Sequence, residues 1–246
     1  MEQETTIYGI RAILEALEAN KSVDKLFLQR GLQGSLIKSL ETAARKKSIN
    51  TVYVPVEKLD RLTPHNHQGA VATISPIEFA DFETLINTVM DSKKNPLFLL
   101  LDQLSDVRNF GAIIRTASCT GVDGIIIQKK GAAPVTADTI KTSAGAVFNV
   151  PITKVDHLKD AVYYLQGSGV SIMAATEKAV DLVYDKDFNQ PIGIIMGAED
   201  VGISPALLKL SDHQAKLPME GTIASLNVSV ACSIFLYEAL RQRMAQ

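Results

Sequence analysis

The chain has 246 residues, 46% of them hydrophobic, and a formal net charge of −2 from 25 basic and 27 acidic side chains. That supplies core material for one large domain or two ordinary ones, and the near balance excludes a uniformly basic nucleic-acid surface, leaving any polyanion to local clusters around Lys46, Lys93, Lys129 and Arg243. The longest apolar run, 97–101, falls far short of the roughly 18 residues of a membrane span. Cys119 and Cys232 form no CxxC, which fits a reducing compartment and argues against a disulfide framework or a cysteine-rich zinc site. The opening "MEQETT" lacks the basic and then apolar layout of a secretory signal, so the expectation is a cytoplasmic protein without a membrane partner.

In chain order, residues 5–75 predict a small alternating module. Thr5 or Thr6 is placed to cap a helix on which Ile10, Ile13, Leu14 and Leu17 recur at helical spacing. "KLFLQ" predicts a strand, and Leu36 to Arg45 a second helix. The β-branched runs "INTVYVPV" and "GAVATI" predict further strands, separated by "EKLDRL" and the turn-rich "TPHNHQG". This sets an N-terminal domain over 1–75. Between 76 and 95 the strands pause, and a short helix from Phe82 to Met90 followed by the polar "DSKKNP" predicts a linker.

From 96 to 246 strands and helices alternate again: "LFLLLD", a helix from about Asn109, "GIIIQ", a helix near Thr136 to Ala144, and "NVPI". There follow a helix over Leu158 to Leu165, "VSIMAAT", "IGIIMG", the helical "SPALLKL", "AKLP", and a final helix from about Leu226 to Arg243. Continuous apolar strands alternating with helices predict an α/β domain with a mostly parallel sheet covered on both faces.

Ligands of such sheets sit beyond the carboxyl ends of the strands, where helix N-termini offer free N–H groups. Three loops occupy that kind of position: "SDVRNFG", "GAEDVGIS" and "PMEGTIASLN". In the second, the missing Cβ of Gly197 would let a ligand lie against the backbone, Gly202 permits a positive φ, Ser204 caps the next helix, and Glu199 carries a charge into the cleft. The third has Ser225 as a plausible N-cap and Asn227 in the first turn, an arrangement suited to a carboxylate or phosphate. The plainer reading of Arg115 is a helix arginine paired with Asp106. Neither G-x-G-x-x-G after a strand nor a P-loop occurs, which argues against a nicotinamide-dependent dehydrogenase. His65 and His67 lack a third ligand nearby, so no metal site is expected.

Together and in this order, "LDQLSDVRNFGAIIRTA", "IIMGAEDVGIS" and "LPMEGTIASLNVSVACSIFLYEALRQR" resemble the three motifs of the SpoU class of RNA ribose 2′-O-methyltransferases, in the SPOUT superfamily. "YGIRAILEAL" and "HQGAVATI" are similar to the small N-terminal α/β RNA-binding domain of that class. The resemblance spans nearly the whole chain and is strongest to the branch that methylates a guanosine of 23S ribosomal RNA. It implies a deep trefoil knot in the C-terminal domain, where pattern alone predicts an ordinary doubly wound sheet. It also implies a homodimer with each site completed near the subunit boundary, and S-adenosylmethionine held in a bent shape largely by backbone groups. Carried over by motif, these groups belong to Gly197, Leu217 and Leu226, with Thr176 and Met219 lining the site.

By the same resemblance, Asn109 and Arg115 hold the nucleotide. The arginine matching Arg115 has been assigned proton abstraction, yet a guanidinium with a pKa above about 12 is a poor base, so orientation of the phosphate or ribose is its expected task. Asn109 is expected to fix Arg115 or the ribose, Glu199 to orient Arg115 by a charge-assisted hydrogen bond, and Asn227 or Ser229 to complete the catalytic pocket. The chemistry requires no metal. Val107 and Arg108 stand where many relatives carry proline and histidine, and Asp200 and Val201 where glycine is frequent; these departures bear on substrate choice. Two alternatives remain: a transfer RNA 2′-O-ribose methyltransferase, and a non-catalytic RNA-binding dimer.

Overall fold

A computed structural model describes residues 6–19, 21–222 and 225–244. The chain divides into two compact units, the first ending at Glu78 and also including Pro134–Ala137, the second formed by the remainder from Phe79 onward.

The first unit runs β1 (Thr6–Tyr8), α1 (Ile10–Glu18), β2 (Val23–Gln29), α2 (Ser35–Lys46), β3 (Asn50–Val54), α3 (Val56–Leu62) and β4 (Ala70–Ile74). Its four strands lie in the order β1-β4-β2-β3, with β4 antiparallel to both neighbours and β2 parallel to β3. Alternation along β2 sends Leu26 and Leu28 to one face, where they meet Ile13 and Leu17 of α1 and Ile37, Leu40 and Ala44 of α2. The opposite face buries Val54 and Val71 with Leu59 of α3, a helix formed where "EKLDRL" predicts a separator. The predicted threonine cap is not used. Thr6 is a strand residue, Thr5 lies outside the described residues, and α1 follows Gly9, whose φ of 89° glycine alone adopts readily.

The second unit begins with α4 (Phe82–Ser92) and β5 (Leu97–Asp102), then α5 (Val107–Thr120), β6 (Gly124–Gln128), α6 (Ala137–Thr142) and β7 (Ile152–Val155). It continues through α7 (Leu158–Gly167), β8 (Ser171–Ala175), β9 (Ile192–Gly197), α8 (Pro205–Leu210), β10 (His213–Ala215) and α9 (Val228–Met244). The predicted linker over 76–95 is corrected by α4. Phe82, Ile86, Val89 and Met90 form one apolar helical face, and Ile86 is fully buried in a core shared with Phe98, Ile126 and Val162. Strands β7 and β10 are displaced from "NVPI" and "AKLP": Pro151, with no N–H to give the ladder, only accepts from Ile125 N–H at 2.9 Å ahead of β7, and β10 ends at Ala215.

All six strands are parallel, in the order β10-β8-β9-β5-β6-β7. β5 is buried at every position, as a central strand covered on both faces must be. Strand order turns at β5, with β6 and β7 on one side and β9, β8 and β10 on the other. In open α/β sheets ligands bind beyond the carboxyl ends of the strands.

Candidate active site

Helix α5 starts two residues earlier than predicted because Asp106 caps it, its Oδ1 accepting from the N–H groups of Arg108 and Asn109, both at 2.8 Å. This commits Asp106 to the backbone, so it does not pair with Arg115. Capping also fixes Asn109 in the first turn, half-buried. At Gly111 a Cβ would stand 1.9 Å from Thr142 Oγ1, so α5 lies against α6 at a distance only glycine allows.

β9 ends on Gly197, where a Cβ would fall 2.2 Å from the carbonyl carbon of Gly202 and 2.3 Å from the nitrogen of Ile203. The space expected for a ligand is therefore filled by the chain's own backbone. The loop closes on itself through Gly202, φ 67°, whose N–H donates to Ala198 O at 2.8 Å. The buried carboxylate of Asp102, at the end of β5, then accepts from Ser204 N–H at 2.7 Å and clamps the loop where α8 begins.

The closed loop presents Glu199 to the start of α9. Glu199 Oε1 accepts from Asn227 Nδ2 and from Val228 N–H, the latter at 3.3 Å. A carboxylate there also meets the positive end of the helix dipole. Asn227, rather than Ser225, caps α9: its Oδ1 accepts from Ser229 N–H at 3.0 Å and Ser229 Oγ–H at 2.5 Å, while Nδ2 also donates to Asn109 Oδ1 at 3.0 Å. With acceptors on one side and donors on the other, this network fixes the orientation of the amide. Asn227 thus joins the three loops, and Thr116 Oγ1 with Ser233 Oγ, 3.0 Å apart, ties α5 to α9 further along.

Arg115 stands apart. It is exposed on α5, about 120° around the helix from Asn109, and among the described residues it makes no hydrogen bond or ion pair. The expected Glu199–Arg115 bond is absent, since Glu199 is engaged by α9.

Beyond the ends of β8, β9 and β10 lies a cavity of about 260 Å3. Thr176, Gly197, Leu217, Met219 and Leu226 all line it, with Glu199 on its wall. Sequence reasoning omitted Val228, Ala231 and Phe235, which reach it from α9, and Lys178 from the turn after β8. The helical spacing of the first three was their one available signal. The backbone groups of Leu217 and Met219 have no hydrogen-bond partner among the described residues, so donors and acceptors remain for a ligand. No group of three or more His, Cys, Asp and Glu side chains is placed to hold a metal ion among the described residues.

The model of the SpoU rRNA methylase family matches residues 96–237, and that for RNA 2′-O ribose methyltransferase substrate binding matches residues 6–80. YacO of Bacillus subtilis (strain 168), assigned to the TrmH family of tRNA/rRNA methyltransferases, is 31% identical over 242 residues, covering 98% of this chain and 97% of its own. A protein of Staphylococcus haemolyticus with the same family assignment is 33% identical over 241 residues, covering 98% and 97%. The solved structure of the SpoU methyltransferase AviRb from Streptomyces viridochromogenes, in complex with the cofactor AdoMet, matches with a TM-score of 0.62 at 27% identity, covering 98% of this chain and 91% of that one. A parallel sheet with three loops joined beside a cavity, and likeness along almost the whole length, make this chain a member of the SpoU rRNA methylase family.

Proposed function

We propose that the chain is an S-adenosylmethionine-dependent RNA 2′-O-ribose methyltransferase whose substrate is a guanosine of 23S ribosomal RNA. The observation that carries this reading is the cavity beside the Asn109–Asn227–Glu199 network. The residues present fit the cofactor. Apolar walls from Leu217, Leu226 and Phe235 suit an adenine ring and the methylene carbons of a methionyl chain, and the unpartnered backbone groups of Leu217 and Met219 suit its polar edges. When bound, S-adenosylmethionine supplies an electrophilic methyl group on a sulfonium. The chain supplies position. Asn109 is held by Asn227, which is held by Glu199 on the cavity wall, so a hydrogen-bonding edge for the ribose is fixed relative to the cofactor site. The Arg115 guanidinium offers a planar fork of donors for a phosphate, so its task is to orient the nucleotide.

The knotted topology of the class belongs to this reading, supported by the match to the SpoU family model over residues 96–237. A cytoplasmic homodimer belongs to it as well. Val230, Tyr237 and Met244 recur every seven residues on α9 and are 48%, 52% and 76% exposed, an apolar stripe suited to a second copy. The first unit is assigned to RNA, supported by its match to the substrate-binding model. Transfer RNA is the second substrate class, favoured by the tRNA/rRNA assignment of the relatives.

The test uses labelled S-adenosylmethionine with ribosomal and transfer RNA from a strain lacking the protein, followed by mapping of 2′-O-methyl positions. Incorporation into 23S RNA is expected, falling about 100-fold in Arg115→Ala and in Asn109→Ala. Full activity in both variants overturns the residue assignment, and incorporation into transfer RNA alone overturns the choice of substrate. No heat on titration with S-adenosylmethionine leaves a non-catalytic RNA-binding dimer.

A further inference from the structure

At the edge of the four-stranded sheet β1 ends on Tyr8, which is 39% exposed. Its ring stacks on that of His65, also exposed, with centroids 4.9 Å apart and planes at 22°. The turn that holds His65 is pinned throughout. Buried Thr63 accepts from His65 N–H through Oγ1 at 3.3 Å. His67 is buried; its Nδ1 accepts from Gly69 N–H at 3.0 Å, so the proton sits on Nε2, which faces Asp60 Oδ1 at 3.0 Å. Ala70 N–H donates to His67 O at 2.8 Å, and Gln29 N–H to Gly69 O at 2.9 Å.

Within this turn Gln68 has φ 52°, a left-handed conformation uncommon outside glycine, with its N–H held by Asn66 Oδ1 at 3.3 Å. Backbone of this kind persists where the surroundings over-determine it, and such places cluster at functional sites. Here the consequence is local. The Gln68 carboxamide reaches Gly9, the neighbour of Tyr8, with Oε1 3.6 Å from where a Cβ would stand. It makes no hydrogen bond among the described residues.

A stacked pair of exposed rings beside a free carboxamide is what an unpaired nucleobase needs: an outer π face that extends the stack and a donor–acceptor pair for its edge. A base inside a duplex has its faces covered. We propose that Tyr8, His65 and Gln68 form a binding site for one unpaired nucleobase of the RNA substrate, a proposal that rests on the RNA methyltransferase reading above. With a net charge of −2 on the chain, stacking rather than bulk electrostatics carries this contact.

The full-length protein is titrated, without cofactor, against a fluorescein-labelled single-stranded RNA dodecamer of mixed sequence and against a blunt-ended, fully paired RNA duplex of two strands, following anisotropy. Tyr8→Leu, which keeps apolar bulk but no π face, and His65→Ala each weaken single-strand binding about tenfold, while Tyr8→Phe binds as wild type. Duplex binding and affinity for S-adenosylmethionine stay unchanged in all three. Wild-type single-strand affinity in both Tyr8→Leu and His65→Ala overturns the proposal. So does a tenfold loss in Tyr8→Phe, or an equal loss on the duplex. A wild-type protein that gives no heat with S-adenosylmethionine overturns the methyltransferase reading instead, through a separate readout.

Discussion

Asn227 does two jobs with one amide. Its oxygen caps α9 and its nitrogen bridges Glu199 and Asn109, residues 28 and 118 positions away in the chain. Replacing it with alanine removes both, and loss of the cap alone costs about 1 kcal/mol. Asn227→Asp separates the jobs: the cap is kept, but a second carboxylate is set against Glu199 and the donor to Asn109 is lost. Thermal melting should therefore place Asn227→Asp between wild type and Asn227→Ala or above, while methyl transfer falls in both variants; activity retained in either would show the bridge to be dispensable. From the sequence, Asn227 is visible as a polar residue near a helix start. Its partners are not, because hydrogen bonds across such separations exist only after the loops converge.

At the scale of the element, the loop after β9 depends on a missing side chain. A Cβ at Gly197 would meet backbone at 2.2 Å, and backbone cannot rotate aside as a side chain can. Gly197→Ala should lower stability by about 1–3 kcal/mol and shift Glu199 off the cavity wall, read as a lower melting temperature together with weaker binding of S-adenosylmethionine by calorimetry. On α9, hydrogen bonds from Arg241, at 2.8 and 2.7 Å, hold the buried Glu238 carboxyl below the usual carboxylate range, with Gln242 adding a third at 2.7 Å. A carboxylate depressed on folding stabilises the protein above its unfolded pKa and loses that contribution as pH falls through the folded value. The melting temperature of wild type should thus exceed that of Glu238→Gln at pH 7, and the gap should close below about pH 4. The seven-residue exposed stripe on α9 is legible in sequence as helical spacing, but which apolar face is covered is not.

For the whole molecule, each unit has its own sheet and its own buried core, so each holds the means to fold by itself. A fragment of residues 79–246 should melt cooperatively by circular dichroism and bind S-adenosylmethionine with an affinity close to that of the full chain, while losing single-stranded RNA binding. A fragment that fails to fold would place part of its stability in residues 1–78. Most of the strand and helix succession was legible in sequence, because hydrophobic period is a local property: "LFLLLD", "GIIIQ" and "IGIIMG" can be little else than buried parallel strands, whereas β1 and α3 are too short to show a period and were not. Part of the cavity lining, Thr176, Gly197, Leu217, Met219 and Leu226, was legible too, through motifs that keep their order along the chain, whereas Lys178, Val228, Ala231 and Phe235 were not. Tertiary structure alone decided that 82–92 is core rather than tether, that Gly197 makes room for its own loop, and that Glu199 bonds α9 and leaves Arg115 free. Each of these turns on which distant groups come within a few ångströms, and that is settled by packing and by the geometry of hydrogen bonds, neither of which a local pattern encodes.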